Sequence, residues 1–331
     1  MDTDELLASL SPKLRKLIQT ADHIPPMEYA QTPSPGLNKA LGGGLVYGRQ
    51  ILIWGNKSAG KSSLCLQIIA NEQKKGKTCA YIDAEGTFDK VWAERLGVDT
   101  SKLLVSHAQT INNMVDVGVQ LLKAGIDVLV VDSISTLLPA VYFEKDGDEL
   151  KQLENTKQIG AEAKDMTNAV KMLNYANQGN TMLILISQTR TSIGAMFSSL
   201  IPTGGKAVQF YSSTIIKLFS SESENQAIKG KVTMGNKILD KIVGRTVNWD
   251  ITFNKTAAGF QSGSYPFIFV GDYVGVDGVS ETVDMAIAEG YIKQGGAWFT
   301  VGEEKFQGKP DALKYVRANP DIYQKLVEQI G

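Results

Sequence analysis

Residues 55 to 62 constrain this chain more than any other stretch. They read Gly55, Asn56, Lys57, Ser58, Ala59, Gly60, Lys61, Ser62, behind the apolar run Ile51 to Trp54 and ahead of a helical stretch from Ser62 to Asn71. This pattern requires a strand, a tight glycine-bearing loop and a helix in that order. The glycines let the loop curl so that its N–H groups converge on a polyphosphate. Lys61 then reaches the β- and γ-phosphates, the Ser62 hydroxyl is suited to Mg²⁺, and Ser63 opens the helix whose dipole favours the anion. Nucleotide binding is the expectation.

Short apolar runs alternate with helical stretches from Gln50 onward: Ile51–Trp54, Cys79–Ile82, Leu103–Val105, Asp127–Val131 and Met182–Ile186. Continuous apolar strands joined by helices predict an α/β fold with a mostly parallel central sheet, its strands buried on both faces and its ligands at their carboxyl ends. After Phe210 the punctuation tightens around Gly230, Gly235, Gly259 and Gly263, and Thr214–Leu218, Val247–Asn254 and Tyr265–Val270 read as antiparallel additions. Leu6, Leu7, Leu10, Leu14, Leu17 and Ile18 have helical spacing, which predicts a helical arm over residues 4 to 20 ahead of a Pro-rich linker. From about Val274 helical patterns return and predict a small C-terminal domain. The division expected is 1–33, 34–273 and 274–331.

The chain has 331 residues, 34 basic against 35 acidic, and so lacks the overall cationic balance of many nucleic-acid binders. A local basic patch repeated along an oligomer would still bind DNA through avidity. Apolar runs such as Val128–Val131 are too short to span a bilayer, and Met1 to Glu5 lacks a basic signal region, so a cytoplasmic protein with no membrane partner is expected. Cys65 and Cys79 read as buried apolar residues rather than a disulfide, and with two histidines zinc is not expected.

The strand ending Val130-Val131-Asp132-Ser133 places a carboxylate where Mg²⁺ and its water shell would be oriented opposite a P-loop, although an Asp that caps a turn has the same pattern. Ser133 is expected only to shape the turn. Glu85, in Tyr81-Ile82-Asp83-Ala84-Glu85-Gly86, suits a general base facing the γ-phosphate, with polar loop residues as the alternative. Asp89 and Trp92 lie three apart at the start of a helix and face either an adenine ring or, equally, a helix cap and the core. Gln188 ends the strand Met182–Ser187, ahead of a segment from Thr189 to Lys206 with amides and cations suited to phosphates; an ordinary surface loop is the alternative.

Taken in order, these motifs resemble the RecA family of recombinases over roughly Pro35 to Asp311. Leu41-Gly42-Gly43-Gly44 with Gly48-Arg49 looks like the family's lead-in to the P-loop, and Tyr81 to Glu85 like its catalytic-glutamate strand. Val130 to Ser133 resembles its second nucleotide motif. Ser187-Gln188-Thr189-Arg190, Ile193 to Phe197, Thr203-Gly204-Gly205-Lys206-Ala207 and Phe210-Tyr211 are similar to its second DNA loop and flank. The resemblance implies ATP and Mg²⁺ as cofactors, with Glu85 activating water, Gln188 coupling ATP state to DNA, and Asp89 and Trp92 at adenine, Trp92 replacing a more usual tyrosine. It implies a first DNA loop from Tyr142 to Gly160, then a helix whose Lys164, Thr167 and Lys171 face backbone phosphates. Ile159 and Ile193 would wedge between bases, and Gly160, Arg190, Thr191, Ser192, Gly194, Thr203, Gly204, Gly205 and Lys206 complete the DNA-binding set. Phe210 corresponds to the interface aromatic. Of a Lys-x-Lys arrangement that completes the neighbour's ATP site, Phe253-Asn254-Lys255 keeps only Lys255.

The implied activity is a DNA-dependent ATPase that forms helical filaments on single-stranded DNA, captures homologous duplex DNA and exchanges strands. The assembly is a homo-oligomer, with rings as the form without DNA and a single-strand-binding or loader protein as a further partner. A charged first DNA loop and a short arm resemble a phage-encoded relative more than a housekeeping copy. The rivals are a ring-forming helicase using Arg190 or Arg245 as an arginine finger, a mediator that binds ATP without exchanging strands, and a small-molecule kinase.

Overall fold

The computed structural model describes the chain except residues 1, 140–141, 143–160, 192–199, 222, 235–236 and 272. Six parallel strands form the centre of the main sheet in the order Leu103–Ser106, Cys79–Asp83, Val128–Asp132, Met182–Thr191, Gln50–Gly55 and Thr214–Phe219. Lys237–Asn254, Gln261–Ile268 and Gly275–Val276 continue it antiparallel on the far side. The α/β class is the one expected, and Val247–Asn254 and most of Tyr265–Val270 fall in antiparallel strands as expected, but Thr214–Phe219, expected to be antiparallel too, runs parallel to Gln50–Gly55 and closes the parallel part of the sheet.

Period-two alternation divides the sheet between two cores. Ile51, Ile53, Val128, Val130, Ile184 and Ile186 face the P-loop helix Lys61–Lys74 and the core around Trp249 and Tyr265. Leu52, Trp54, Leu129, Val131, Leu183 and Leu185 face the helices Ile111–Lys123, Ala161–Ala176 and Gly205–Tyr211. A third cluster, containing Val283, Phe299, Val316 and Leu326, holds the helices Gly278–Ala288, Lys309–Ala318 and Pro320–Ile330 against a three-stranded sheet. Cys65 and Cys79 are free and buried, as expected. No helix among the described residues is long and apolar enough to cross a membrane.

Other expectations are corrected. The arm is two short helices, Thr3–Ser9 and Pro12–Arg15, neither with a buried residue, because Pro12 opens a second helix behind Ser11. Tyr29 and Ala30 pair with Val46 and Leu45 of their own chain, and Glu28 meets Lys77 at 3.0 Å, so the end of the linker is docked on its own core. The strand Leu103–Ser106 lies at the sheet edge with Leu104 56% exposed, so it is not buried on both faces. Lys237–Asn254 is also far longer than the strand read from Val247, and forms a hairpin with Ala227–Met234.

Candidate nucleotide site and DNA-facing elements

Parallel register brings the candidate groups to one edge. Gly55 lies beside Gln188 on one side and Leu218 on the other, and Asp83 beside Asp132. A Cβ at Gly55 would stand 1.8 Å from the Leu218 carbonyl oxygen, so only glycine lets the P-loop leave the sheet here. At Gly60, φ is +81° and a Cβ would meet nothing within 4 Å, leaving open space where the loop turns into the helix. The Lys61 ammonium is 8% exposed and donates to the carbonyls of Gly55 and Asn56 at 3.1 and 2.8 Å. Burial lowers its pKa, an effect opposed by the charges of Asp132 and Glu85.

Asp132 is also buried, and burial raises its pKa against hydrogen bonds from Ser62 and Tyr81 and the Lys61 charge; Glu85 adds to the rise. The Tyr81 hydroxyl donates to Oδ2 of Asp132. A serine hydroxyl and a carboxylate in contact form a hard-oxygen set suited to Mg²⁺, so the residues fit that ion. Glu85 Oε1 accepts two hydrogen bonds of 2.7 Å, from Ser133 Oγ and Gln188 Nε2. Ser133, expected only to shape a turn, thus holds the candidate base.

Gln188 is tied further. Its N–H donates to Ser135 Oγ at 2.8 Å, the Ser135 hydroxyl contacts that of Thr203, and the Thr203 N–H returns to the Gln188 carbonyl at 3.1 Å. Ser187 Oγ joins Thr203 Oγ1 at 2.9 Å. A continuous set of hydrogen bonds therefore runs from Glu85 to Thr203, where Gly204 (φ +89°) and Gly205 (φ +83°) turn the chain into the helix Gly205–Tyr211. A Cβ on Gly204 would stand 2.7 Å from Ile134. Ser135 was missed because a lone hydroxyl after a strand carries no sequence signal.

Asp89 caps the helix Lys90–Arg95 by accepting from the Trp92 N–H at 3.1 Å. The indole of Trp92 donates to Ser63 Oγ at 3.1 Å, which places it beside the P-loop helix start. A cavity of about 290 Å³ opens there between Ser58, Gly60, Lys61, Ser62 and Ser63 and a wall formed by Ser220, Arg245, Val247, Phe267 and Phe269. Phe267 and Phe269 were read from sequence only as strand residues, and their arrival at the P-loop depends on the antiparallel extension folding back over it. Lys57 is exposed and Ala59 buried.

Lys164, Thr167 and Lys171 follow one another at helical spacing on Ala161–Ala176; both lysines are exposed, and the Thr167 hydroxyl donates to the Ala163 carbonyl at 2.7 Å. Arg190 and Lys206 are exposed on the two flanks of the segment expected to be a second DNA loop, and Thr191 ends its incoming strand. Ile159, Gly160, Ser192, Ile193 and Gly194 lie outside the described residues. Phe210 is 79% exposed. Lys255 is exposed over the Phe253 ring, 5.7 Å from its centroid, and its N–H donates to the Ser213 carbonyl.

Comparisons with known proteins agree with this arrangement. The RecA N-terminal domain model matches residues 15–270 and the RecA C-terminal domain model residues 280–331. The chain is 34% identical over 305 residues to the Protein RecA of Marinobacter nauticus, covering 90% of this chain and 81% of that one. It is 34% identical over 311 residues to the Protein RecA of Saccharopolyspora erythraea, covering 92% and 83%, and 35% identical over 311 residues to that of Rhizobium leguminosarum, covering 92% and 80%. With both domain models matched in order and identity sustained along nine-tenths of its length, this chain belongs to the RecA family of recombinases.

Proposed function

We propose that this chain is an ATP-dependent strand-exchange protein that assembles as a helical filament on single-stranded DNA and hydrolyses ATP faster when DNA is bound. The observation that carries this reading is the bonded path from Glu85 through Gln188 to Thr203. It joins a candidate catalytic carboxylate to the flank of a loop suited to phosphates, and so gives DNA a physical route to the hydrolytic centre.

In this reading Glu85 orients the attacking water and accepts its proton, while Ser133 and Gln188 fix the carboxylate's direction. Lys61 exchanges its loop carbonyls for phosphate oxygens and balances the charge of the transferring group. Ser62 and Asp132 would hold Mg²⁺, which would supply positive charge to offset that of the phosphates. Asp89 and Trp92 border the adenine. Lys255 and the exposed Phe210 act across the subunit interface, Lys255 completing the neighbour's site. Lys164, Thr167, Lys171, Arg190, Thr191, Lys206 and the amides of Gly204 and Gly205 take DNA backbone, which leaves sequence recognition to base pairing. Residues 1–33 form the arm, 34–273 the ATPase core and 274–331 a separate C-terminal unit.

The test is steady-state ATP hydrolysis with and without single-stranded DNA, for wild type and Glu85→Gln, with electron microscopy and a joint-molecule assay on the same preparation. Wild type should be stimulated by DNA, form filaments and join homologous strands. Glu85→Gln should bind ATP normally but hydrolyse it about 10²- to 10⁴-fold more slowly. Hydrolysis indifferent to DNA, or unwinding without joint molecules, would overturn strand exchange in favour of a motor.

A further inference from the structure

We propose that Arg245 binds the α- and β-phosphates of the nucleotide in cis, within the subunit that supplies the P-loop. The inference rests on the reading of that loop as an ATP site.

Arg245 lies in the long strand Lys237–Asn254, directly opposite Phe267 in the antiparallel register. Opposed residues of such a pair share a face of the sheet. Here that face closes the cavity whose other wall is Ser58, Ser62 and Ser63 at the start of the P-loop helix. The half-buried guanidinium makes one hydrogen bond among the described residues, from Nη1 to the Ser221 carbonyl at 3.0 Å, and no ion pair with a described carboxylate. Its fork has five N–H donors, so most remain for a ligand, and its planar geometry suits adjacent phosphate oxygens. The cavity wall that carries it is otherwise Ser220, Val247 and two phenylalanines, none of which carries charge.

Position within the site separates this role from chemistry. Glu85, Gln188 and Asp132 do not line this cavity, whereas Ser63, bonded to the Trp92 indole, does. Arg245 therefore faces Lys61, Ser62 and Ser63 at the start of the P-loop helix from outside the set formed by Glu85, Gln188 and Asp132. A contact there strengthens ground state and transition state alike and shows as affinity, not as rate at saturation. The arginine thus differs from a finger inserted by a neighbour, which would act on the γ-phosphate.

Equilibrium binding of a fluorescent ADP to the full chain, with unlabelled adenosine as competitor, tests this for wild type, Arg245→Ala, Arg245→Gln and Arg245→Lys. Loss of a charged hydrogen bond should raise the Kd for ADP about 10- to 100-fold in the Ala and Gln variants. Lys should recover most of the loss, adenosine competition should not change, and the KM for ATP should rise by the same factor while kcat holds. Gln keeps an N–H for Ser221, so it reports the charge even where Ala disturbs the fold. Wild-type affinity for ADP in Arg245→Gln would overturn the proposal. So would an equal loss for adenosine, which assigns Arg245 to the base, or a fall in kcat without a rise in KM. A wild type that binds no ADP would instead sink the nucleotide reading on which the proposal stands.

Discussion

Two of the places where the described residues bury charge do so differently. At the carboxyl ends of the parallel strands, Lys61, Asp132 and Glu85 sit within one electrostatic neighbourhood, with Tyr81, Ser62, Ser133 and Gln188 supplying hydrogen bonds. At the seam between the core and the C-terminal unit, Glu281 is buried with far less company. Its Oε1 accepts from Ser34 Oγ at 2.8 Å and from the Gly36 N–H at 3.1 Å, while its Oε2 has no hydrogen-bond partner. Burial pushes its pKa up to about 7, with Asp277 and Asp284 adding to the rise. Desolvation disfavours charge at both places. The nucleotide end offsets it with opposite charges suited to a polyanion, and the seam offsets it mainly by holding a proton. The first arrangement suits a charged ligand and the second a joint.

Among the substitutions that set these two sites against each other, removing the central charge of the first should have the largest effect. Lys61→Ala should lower single-turnover ATP hydrolysis by about 10²- to 10³-fold, the scale of losing one aligned electrostatic group. Thermal stability should change little, because the Gly55 and Asn56 carbonyls it leaves can bond water in the cavity. A fall in stability beyond about 2 kcal/mol would mean that the lysine is as much a joint as Glu281, and the contrast between the two sites would fail.

Glu281→Gln tests the other side. A carboxyl with a folded pKa near 7, against an ordinary 4.5, binds its proton more tightly in the folded than in the unfolded chain. Stability should therefore fall as pH rises from about 4.5 to about 7 and then level off. The neutral glutamine keeps an acceptor for Ser34 and Gly36. It should flatten that slope and stabilise the protein above pH 7 by on the order of 3 kcal/mol at most, read from denaturant unfolding at pH 5 and pH 8. An unchanged slope would show that Glu281 ionises freely at the seam.

Legibility in the sequence follows the same division. The P-loop and the strands ending in Asp83, Asp132 and Gln188 were readable because apolar runs and strand-end carboxylates are local signals. Ser133 and Ser135 were not, since their value comes from a neighbouring strand in register. Arg245, Phe267 and Phe269 reach the nucleotide cavity only because the antiparallel extension folds back, and the lysine-rich stretch Lys229 to Lys241 concealed the hairpin that leads into it. The arm misled for the opposite reason. Its leucines have helical spacing over sixteen residues or so, yet Leu6, Leu14 and Leu17 are exposed and neither short helix has a buried residue to hold one continuous helix against the fold.

The smallest predicted effect probes how the first site speaks to the DNA-facing loop. Ser135 Oγ accepts the Gln188 N–H and contacts Thr203, so Ser135→Ala removes one link between the strand end and the loop flank without touching Glu85, and leaves the Thr203 N–H on the Gln188 carbonyl and the Ser187–Thr203 contact. The lost hydrogen bonding is worth about 1 kcal/mol, which converts to roughly fivefold in coupling. DNA-stimulated hydrolysis should fall toward the DNA-free rate by about that factor, and Ser135→Thr, which keeps the hydroxyl, should restore most of the stimulation. A merely structural role would lower both rates together and would track the melting temperature. If Ser135→Ala keeps full stimulation, the signal passes through the Gln188 side chain and the direct bond of its carbonyl to the Thr203 N–H. The hydroxyls of Ser135, Ser187 and Thr203 would then belong with Glu281, as packing polar groups that join elements of the fold without carrying a message between ligands.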